Sequence, residues 1–403
     1  MTARSRGPLE GLRVVDMSTT LMGPYCSLLL AQLGADVIKV ERPSGDITRN
    51  IGDRAGYGLG EFYVNFNRGK RSVVLDLTAS SDAGIFRRMI ADADVFSHNL
   101  RPTSARTLGL AYDDLSPLNQ GLVYCSMHGF DQRGPWRDKP AYDDTIQAAA
   151  GIATMQGGTA DGVPTYVKSP IADKTVGVFA LVGILAALHE RAASGLGQEV
   201  SVPMYETMVA FNAVDQLGGT VFEPPLGPPG YARMESPHRR PYRTADGYLA
   251  VMVYTDRQWA SFYRLVGRED LLADDRLLTI GGRTDNTDEL YSLVADALTA
   301  RTTDEWLEVL DSLDIPAAPV MGIEQIPTAA QTVASGIFES VDHPLLGRLR
   351  QPGMPVTFSR TPPREAAPAV VLGADSETIR AAYAPADGRG EGTTEQTVDP
   401  SQV

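Results

Sequence analysis

Residues 12–41 read LRVVDMSTTLMGPYCSLLLAQLGADVIKVE. The apolar run at 12–17 predicts a strand, and the run at 36–41 predicts a second one. Between them, residues 23–34 predict a helix that has proline near its start and glycine just past its end. A strand, a helix and a strand in this order are typical of a parallel sheet. The segment therefore predicts the beginning of an α/β fold.

The same alternation continues through the first half of the chain. Further strands are predicted at 71–77, 94–99, 122–127 and 198–204. Helices are predicted at 83–93, at 143–155 and over the long apolar segment that follows Asp173. This pattern favours a mostly parallel, doubly wound sheet.

The amino-acid composition changes beyond residue 220. A stretch rich in proline, glycine and arginine begins near 223, and a smaller α+β unit follows it, with a strand at 247–254 and helices near 256–267, 286–299 and 303–313. We therefore predict a large α/β domain over 1–222, a small α+β domain over 223–328, a C-terminal segment over 329–385 and a tail over 386–403. The tail has almost no apolar residues, which predicts disorder.

Composition excludes several classes of function. The 403 residues include 50 acidic and 36 basic ones, and the net charge of −14 argues against a broad nucleic-acid surface. The two cysteines and five histidines show no spacing typical of a disulfide scaffold or a metal site, so no metal is expected. The N-terminus lacks an apolar signal core, and the uncharged run at 176–188 is shorter than the roughly 20 residues that span a bilayer. A cytoplasmic protein is expected.

The turn after the first strand reads MSTTLMGP and contains no G-x-G-x-x-G motif. The glycines that hold a dinucleotide pyrophosphate are therefore missing, which disfavours a nicotinamide or flavin cofactor.

One carboxylate precedes the longest apolar run. Asp173 and Lys174 precede the run and are separated from it by Thr175, within residues 169–202. Aspartate is a favoured helix N-cap, which is worth about 1 kcal/mol. A carboxylate that a helix dipole keeps ionised beside an apolar wall is also a competent nucleophile toward an activated acyl group. Both interpretations hold if one oxygen caps the helix and the other faces a cleft.

Several motifs occur together in one order along the chain. They read PLEGLRVVDMS, GPYCSLLLAQLGADVIKVERPSGD, NFNRGKRSVVLDL, NLRPTSARTLGL, PAYDDTIQAAAGI, IADKTVGVFALVGILAALHERAASGLGQEVSVPMYE, IPAAPVMGIEQI, HPLLGRLRQPGMPVTFS and LGADSETI. In order and spacing they resemble the class III CoA-transferases, the CaiB/BaiF family, which includes formyl-CoA and carnitine CoA-transferases. The resemblance covers nearly the whole chain.

The resemblance implies an architecture and a reaction. It implies a Rossmann-like large domain, a smaller inserted α+β domain and an interlocked homodimer. It implies an acyl-CoA:carboxylate CoA-transferase in which Asp173 forms an acyl anhydride and then an aspartyl-CoA thioester. Acyl-CoA and a carboxylic acid are then the substrates, coenzyme A is not a permanently bound cofactor, and neither ATP nor a metal is needed.

The resemblance also implies site residues. It places CoA contacts at Arg42, Lys70, Leu75, Asn99, Leu100, Arg101 and Arg106, and it places Tyr142 and Met204 at the reaction centre. Arginines suit the CoA phosphates because a guanidinium binds them in a bidentate way. Taken alone, an arginine is usually a solvated surface charge, and a tyrosine such as Tyr142 is more often a half-buried packing aromatic. The ligand role is nevertheless preferred for Arg42, whereas both interpretations stay open for Arg106.

Two departures from formyl-CoA transferases bear on the substrate. Leu21 stands where those enzymes have a glutamine, and residues 226–234, LGPPGYARM, replace their long glycine run. Formate and oxalate are therefore not expected as substrates, and a larger or less polar acyl group is. The arginines of the loop that follows have three open roles: CoA phosphates, an anionic acceptor or a dimer partner. They are Arg233, Arg239, Arg240 and Arg243.

Two alternatives remain. Racemases of the same fold, which act on α-methylacyl-CoA, use a histidine where this chain has Tyr142, and a tyrosine is a much weaker base at neutral pH. A CoA-binding protein without turnover is the second alternative. Alanine at position 173 discriminates them, because only a transferase loses its covalent intermediate.

Overall fold

Short strands and helices alternate through the chain, and the computed structural model describes residues 7–157, 162–365 and 367–385. The strands are β1 (Arg13–Asp16), β2 (Asp36–Glu41), β3 (Arg71–Val74), β4 (Val95–His98), β5 (Val123–His128), β6 (Glu199–Pro203), β7 (Tyr242–Arg243), β8 (Tyr248–Val251), β9 (Ala317–Pro319), β10 (Phe338–His343) and β11 (Gly347–Pro352).

The helices of the first half are α1 (Met22–Gln32), α2 (Glu61–Phe66), α3 (Ser80–Ala91), α4 (Pro102–Thr107), α5 (Tyr112–Leu115), α6 (Asp143–Ala149), α7 (Ile152–Gly157), α8 (Ile171–Ser194) and α9 (Met204–Gln216). Those of the second half are α10 (Ala232–Glu235), α11 (Asp256–Leu265), α12 (Asp275–Leu278), α13 (Ile280–Asp285), α14 (Thr287–Leu298), α15 (Thr303–Ser312), α16 (Ala330–Ser335) and α17 (Ser376–Ala382).

Six parallel strands form the main sheet, in the order β3-β2-β1-β4-β5-β6. The central strand β1 pairs with β2 on one side and with β4 on the other, so that Val14 lies opposite both Val37 and Val95. The predicted mostly parallel α/β sheet is confirmed. Because the strand order reverses between β1 and β4, a crevice is expected at the carboxyl ends of these two strands, where ligands bind in open α/β sheets.

The sheet is covered on its faces by helices, and α8 packs along α1. Gly177 allows their close approach, because a Cβ at this position would lie 2.7 Å from the carbonyl oxygen of Met22. On the other side, Phe86 and Met89 of α3 pack against Phe96 of β4, and all three are almost fully buried. Burial of each such side chain contributes about 1.5–3 kcal/mol to folding.

One predicted helix is divided in the structure, and one observed helix was not predicted. The helix expected over 143–155 is divided into α6 and α7, because Gly151 between them has a left-handed φ of +84°. Helix α9 was not predicted. Its sequence, MYETMVAFNAVDQ, follows β6 without a turn signal, so the strand pattern concealed the start of the helix.

Helix α8 is longer than the uncharged run that predicted it, because it continues through charged residues to Ser194. Among the described residues, its 24 residues form the one helix long and apolar enough to cross a bilayer by length and composition. The expectation that this segment is too short was therefore wrong. The core helix of a soluble protein passes the same test, and α8 packs against α1, β5 and β6.

The chain divides into two compact units. The first consists of the described residues of Met1–Ala150, Val167–Ala210 and Val333–Val403, and the second of those of Gly151–Tyr166 and Phe211–Thr332. In the second unit, β7, β8 and β9 form an antiparallel sheet, and a separate core surrounds Trp259, Phe262 and Leu298. The division into 1–222, 223–328 and 329–385 stays a prediction, and the tail at 386–403 lies outside the described residues.

Candidate active site

A cavity of about 180 Å³ lies at the carboxyl ends of the central strands, where the strand order reverses. Loops that follow β1, β4 and β5 supply most of its wall, and the first turns of α8 and α9 complete it. The lining residues are Thr19, Thr20, Met22, Asn99 to Thr103, Met127 to Gly129, Arg137 to Tyr142, Asp173 and Met204.

Asn99 ties together the two loops that meet at this point. Its side-chain oxygen accepts a hydrogen bond from the N–H of Thr19 at 2.9 Å, and its side-chain NH₂ donates to the carbonyl of Thr19 at 2.8 Å. The next loop residue, Leu100, donates its N–H to Nδ1 of His98 at 3.2 Å. Burial lowers the pKa of His98 to about 3, so its ring is neutral and Nδ1 stays an acceptor.

Buried charges lie beneath the loop after β1. The ammonium of Lys39 donates to the carbonyl of Ser18 at 2.7 Å and pairs with the carboxylate of Asp46 at 3.0 Å. Burial alone would lower the pKa of Lys39, but Asp46 and Asp16 raise it above its ordinary value. Asp46 also accepts the N–H of Thr20, a cavity residue with a left-handed φ of +70°. The charges therefore fix an unusual loop conformation at the wall of the cavity.

Asp173 is the third residue of α8 and not its cap. The helix begins at Ile171, the preceding residue is Pro170, and no side chain at that position caps the helix. The N–H groups of Ala172 and Asp173 belong to the first turn and have no partner within the helix. They donate instead to Oδ1 of Asp143, at 2.8 and 3.3 Å. The predicted N-cap role of Asp173 was therefore wrong, because a carboxylate from α6 already satisfies these donors.

The electrostatic surroundings of Asp173 also differ from the prediction. A helix terminus and Lys174 were expected to keep this carboxylate ionised. Burial, together with the charges of Asp143 and Asp144, instead raises the pKa of Asp173 to about 7. The ammonium of Lys174 donates to Oγ of Ser169 at 2.6 Å. A carboxylate with this pKa is more basic than an ordinary one and is still substantially ionised at neutral pH.

The raised pKa of Asp173 predicts a pH-dependent loss of stability. A group whose folded-state pKa exceeds its unfolded value of 3.8 stabilises the fold below pH 4, and this contribution is lost as the pH rises through about 7. The variant Asp173→Asn carries no such charge, so we expect it to be more stable than the wild type at pH 8, by up to about 4 kcal/mol. Urea unfolding at pH 8 and pH 4 measures this.

The difference should nearly vanish at pH 4. Asp144→Asn is the matched control, since Asp144 is exposed, and we expect it to change the unfolding midpoint much less. A wild type that is more stable than Asp173→Asn at pH 8 would contradict the raised pKa of Asp173.

The structure brings six of the ten predicted site residues to the cavity wall. They are Asn99, Leu100, Arg101, Tyr142, Asp173 and Met204. Tyr142 is 70% exposed, whereas Met204 is 3% exposed, so the cavity has one polar, open side and one apolar, closed side.

The other four predicted residues lie elsewhere. Arg42 is exposed after β2, and Arg106 lines a second cavity of about 110 Å³ together with His98. Leu75 is 2% exposed in the core, and the ammonium of Lys70 is buried. The contacts of that ammonium are Asp16, the carbonyl of Pro24, Ser27 and Asn67. A contact between CoA and either Lys70 or Leu75 would therefore need their backbone atoms.

Sequence reasoning missed four charged residues that the structure places at the site, one of which is Asp138. Arg137 and Lys139 line the cavity beside Arg101, and Lys139 lies 4.8 Å from the ring centroid of Trp136. The two basic residues flanking Asp138 in RDKP were a usable signal. Asp143 was quoted in PAYDDT but was not predicted to act, because its partner lies 29 residues further along the chain.

Leu21, which stands where formyl-CoA transferases have a glutamine, is not part of the described cavity wall, although its neighbours Thr20 and Met22 are. Across the described part of the chain, no cluster of three or more His, Cys, Asp or Glu residues is arranged to hold a metal ion.

Comparisons with known proteins identify the family of this chain. The model of CoA-transferase family III matches residues 9–376. An acetyl-CoA:oxalate CoA-transferase of Acetobacter aceti is 32% identical over 89% of this chain and 90% of that one. A succinyl-CoA:glutarate CoA-transferase of Mus musculus is 28% identical over 93% of this chain and 86% of that one.

Solved structures agree as well. A CAIB/BAIF family protein from Brucella suis superimposes with a TM-score of 0.78 at 29% identity, and the match covers 94% of this chain and 100% of that one. The likeness thus extends over sequence and fold together. The chain belongs to CoA-transferase family III and is an enzyme of that family.

Proposed function

We propose that this enzyme transfers CoA from an acyl-CoA donor to a carboxylic acid through covalent intermediates on Asp173. The observation that carries the proposal is the position of this carboxylate. It lines the cavity at the reversal point of the sheet and has a pKa of about 7. Such a group combines basicity with sufficient ionisation to attack a thioester near neutral pH.

The steps balance without an external energy source. An oxygen of Asp173 bonds to the acyl carbon of the donor, the carbon–sulfur bond breaks, and the electron pair leaves on the CoA sulfur. This thiolate attacks the aspartyl carbonyl of the anhydride and releases the donor acid. The acceptor carboxylate then attacks the carbonyl of the aspartyl-CoA thioester, which breaks the carbon–sulfur bond and forms a second anhydride. The CoA thiolate attacks the acceptor carbonyl of this anhydride, forms the product thioester and releases the carboxylate of Asp173. Because one thioester replaces another, ATP is not consumed.

The charged residues of the cavity support CoA binding. Arg101, Arg137 and Lys139 are exposed at the wall and suit the nucleotide phosphates. Asn99 holds the loop on which Arg101 lies. The roles that the family resemblance implies for Arg42, Lys70, Leu75, Leu100, Arg106, Tyr142 and Met204 remain part of this proposal.

We propose a dicarboxylic acid as the acceptor. The relatives from Acetobacter aceti and Mus musculus are named for oxalate and glutarate, which are both dicarboxylic acids. The cavity wall carries three cations, Arg101, Arg137 and Lys139, against the two carboxylates of Asp138 and Asp173, and this balance suits an anionic acceptor. The presence of Leu21 predicted that oxalate is not a substrate, and this stays a prediction. The relative that is named for oxalate weakens it. For the donor, acetyl-CoA and succinyl-CoA are the first to test.

We also propose that the protein is a cytoplasmic homodimer with interlocked chains. Val178, Phe179 and Val182 support a dimer, since these apolar side chains of α8 are 41%, 44% and 57% exposed in the single chain. Light scattering should give twice the chain mass of 43.3 kDa. Differently tagged dimers should not exchange subunits unless they are unfolded, and a monomer mass or rapid exchange would contradict the interlocked arrangement.

Denaturing intact-mass spectrometry tests the covalent mechanism. After brief incubation with succinyl-CoA or acetyl-CoA, the chain should gain the mass of the acyl group or of CoA, and hydroxylamine should remove the adduct. A chain that turns over these donors with oxalate or glutarate, yet never carries an adduct, would contradict the aspartyl mechanism.

A further inference from the structure

A second carboxylate supports the candidate nucleophile from the neighbouring helix. Oδ1 of Asp143 accepts the N–H groups of Ala172 and Asp173, and Oδ2 accepts the side-chain N–H of Gln147 at 2.9 Å. Asp143 is 8% exposed and Gln147 is 1% exposed. Three N–H donors converge on one carboxylate, which is an arrangement suited to its ionised form.

Gln147 extends this support to the segment that leads into α8. Its side-chain oxygen accepts the N–H of Val167 at 2.9 Å. The chain thus contacts the Asp143–Gln147 pair on both sides of Pro170, which cannot itself cap the helix with a side chain. The first turn of α8, and with it the backbone of Asp173, is therefore fixed by residues of α6.

We propose that Asp143 is the positioning residue of this active site: it caps α8 from outside and presents a negative charge to Asp173 that favours acylation. The inference rests on the proposed covalent function of Asp173. Capping fixes where the nucleophile points, since the bonds hold the backbone of Asp173 itself and of its neighbour.

The charge of Asp143 acts on the equilibrium of the first step. In that step a negative charge leaves Asp173, because the carboxylate becomes a neutral anhydride and the electron pair moves to the CoA sulfur. Repulsion between Asp143 and Asp173 is present in the free enzyme and disappears in the acylated one. Asp143 therefore raises the free energy of the free carboxylate relative to both covalent intermediates, and it makes the attacking oxygen more basic.

Other charged groups also lie around Asp173, and among them the charge of Asp144 also raises the pKa of Asp173. Asp144 follows Asp143 on α6, and Lys174 follows Asp173 on α8, where it is bonded to Ser169. The remaining charged or titratable groups of the cavity wall are Arg101, His128, Arg137, Asp138, Lys139 and Tyr142. A test must therefore separate the effect of Asp143 from a general change in the local field.

The experiment compares Asp143→Asn, Asp143→Ala and the control Asp144→Asn. Asparagine keeps an oxygen that can accept the N–H groups but removes the charge, whereas alanine removes both. Rates of adduct formation with succinyl-CoA and acetyl-CoA are measured from pH 5 to pH 9 by quenched intact-mass spectrometry. In parallel, NMR of protein labelled with ¹³C at the aspartate carboxyls follows the titration of Asp173, whose signal is assigned by its loss in Asp173→Asn.

In Asp143→Asn, the midpoint of the pH–rate profile should fall by about one pH unit or more, and the plateau rate at high pH should fall several-fold. In Asp143→Ala, loss of position should lower the plateau by a further tenfold or more. Asp144→Asn should shift the midpoint less and keep the plateau. The proposal is overturned if Asp143→Asn keeps both the wild-type midpoint and plateau, or if Asp144→Asn has the larger effect.

The NMR titration distinguishes a failure of the proposed covalent function of Asp173 from a failure of the proposed role of Asp143. If the wild type forms no adduct, the covalent function fails, but the pKa of Asp173 should still fall in Asp143→Asn. An unchanged pKa would overturn the role of Asp143 whatever the outcome of the kinetic assay. Should Asp143→Ala not fold, Asp143→Asn alone decides.

Discussion

Replacement of Asp173 by alanine should abolish the mass adduct and lower CoA transfer at least about a thousandfold, because Asp173 is the group that carries the acyl chain in the proposed mechanism. The variant should still fold, since Asp143, and not Asp173, caps α8. It should also bind CoA, because the cationic residues at the cavity wall are unchanged. The measurements are intact mass after incubation with donor, steady-state transfer, and calorimetric titration with CoA.

Two controls sharpen this result. Asp138→Ala removes another carboxylate from the same cavity wall, and it should retain the adduct. Asp173→Glu keeps the functional group but moves it by one methylene, and we expect it to recover only a small part of the activity, because attack needs the reacting atoms within about 3.5 Å. Full transfer by Asp173→Ala would exclude the covalent mechanism, whereas loss of CoA binding in that variant would assign Asp173 a structural role.

The local alternation of strands and helices was sufficient to predict the main sheet. Segments rich in valine and isoleucine, such as the one at Val37 to Val40, favour strands of a parallel sheet, because such a sheet is buried on both faces. The order of these strands was not predicted, and the structure shows it. The cavity follows from that order, since it lies at the carboxyl ends of β1 and β4, between which the strand order reverses.

The details that govern chemistry were harder to predict because they depend on contacts between distant residues. Asp173 looked like a cap because aspartate is common there, and only the packing of α6 against α8 shows that Asp143 has that position. The raised pKa of Asp173 has the same origin, since burial and a neighbouring helix outweigh the local sequence. One overlooked signal was Lys39, a lysine in the middle of a buried apolar strand, which required a buried counter-charge.

The second large effect is expected from Lys39→Met, which should destabilise the protein by about 3–5 kcal/mol. Lys39 and its partner Asp46 are both fully buried, and methionine has a similar length but no charge. Asp46 would then lose its nearest cation, and the carbonyl of Ser18 would lose a donor at 2.7 Å. Urea unfolding at pH 7 measures the loss of stability.

The origin of that loss can be separated from simple misfit of the new side chain. Uncompensated carboxylates regain stability when they are protonated, so the deficit of Lys39→Met should shrink as the pH falls toward 4. The matched control is Arg257→Met, which breaks a pair with Asp314 whose side chains are 73% and 81% exposed, and which should cost at most about 1 kcal/mol. The same variant should also affect the cavity. Lys39 donates to the carbonyl of Ser18, and Asp46 accepts the N–H of Thr20, so Lys39→Met should weaken CoA binding under conditions where the protein is still folded. A variant that loses stability equally at both pH values, with unchanged CoA affinity, would show that Lys39 fills space in the core without organising the cavity.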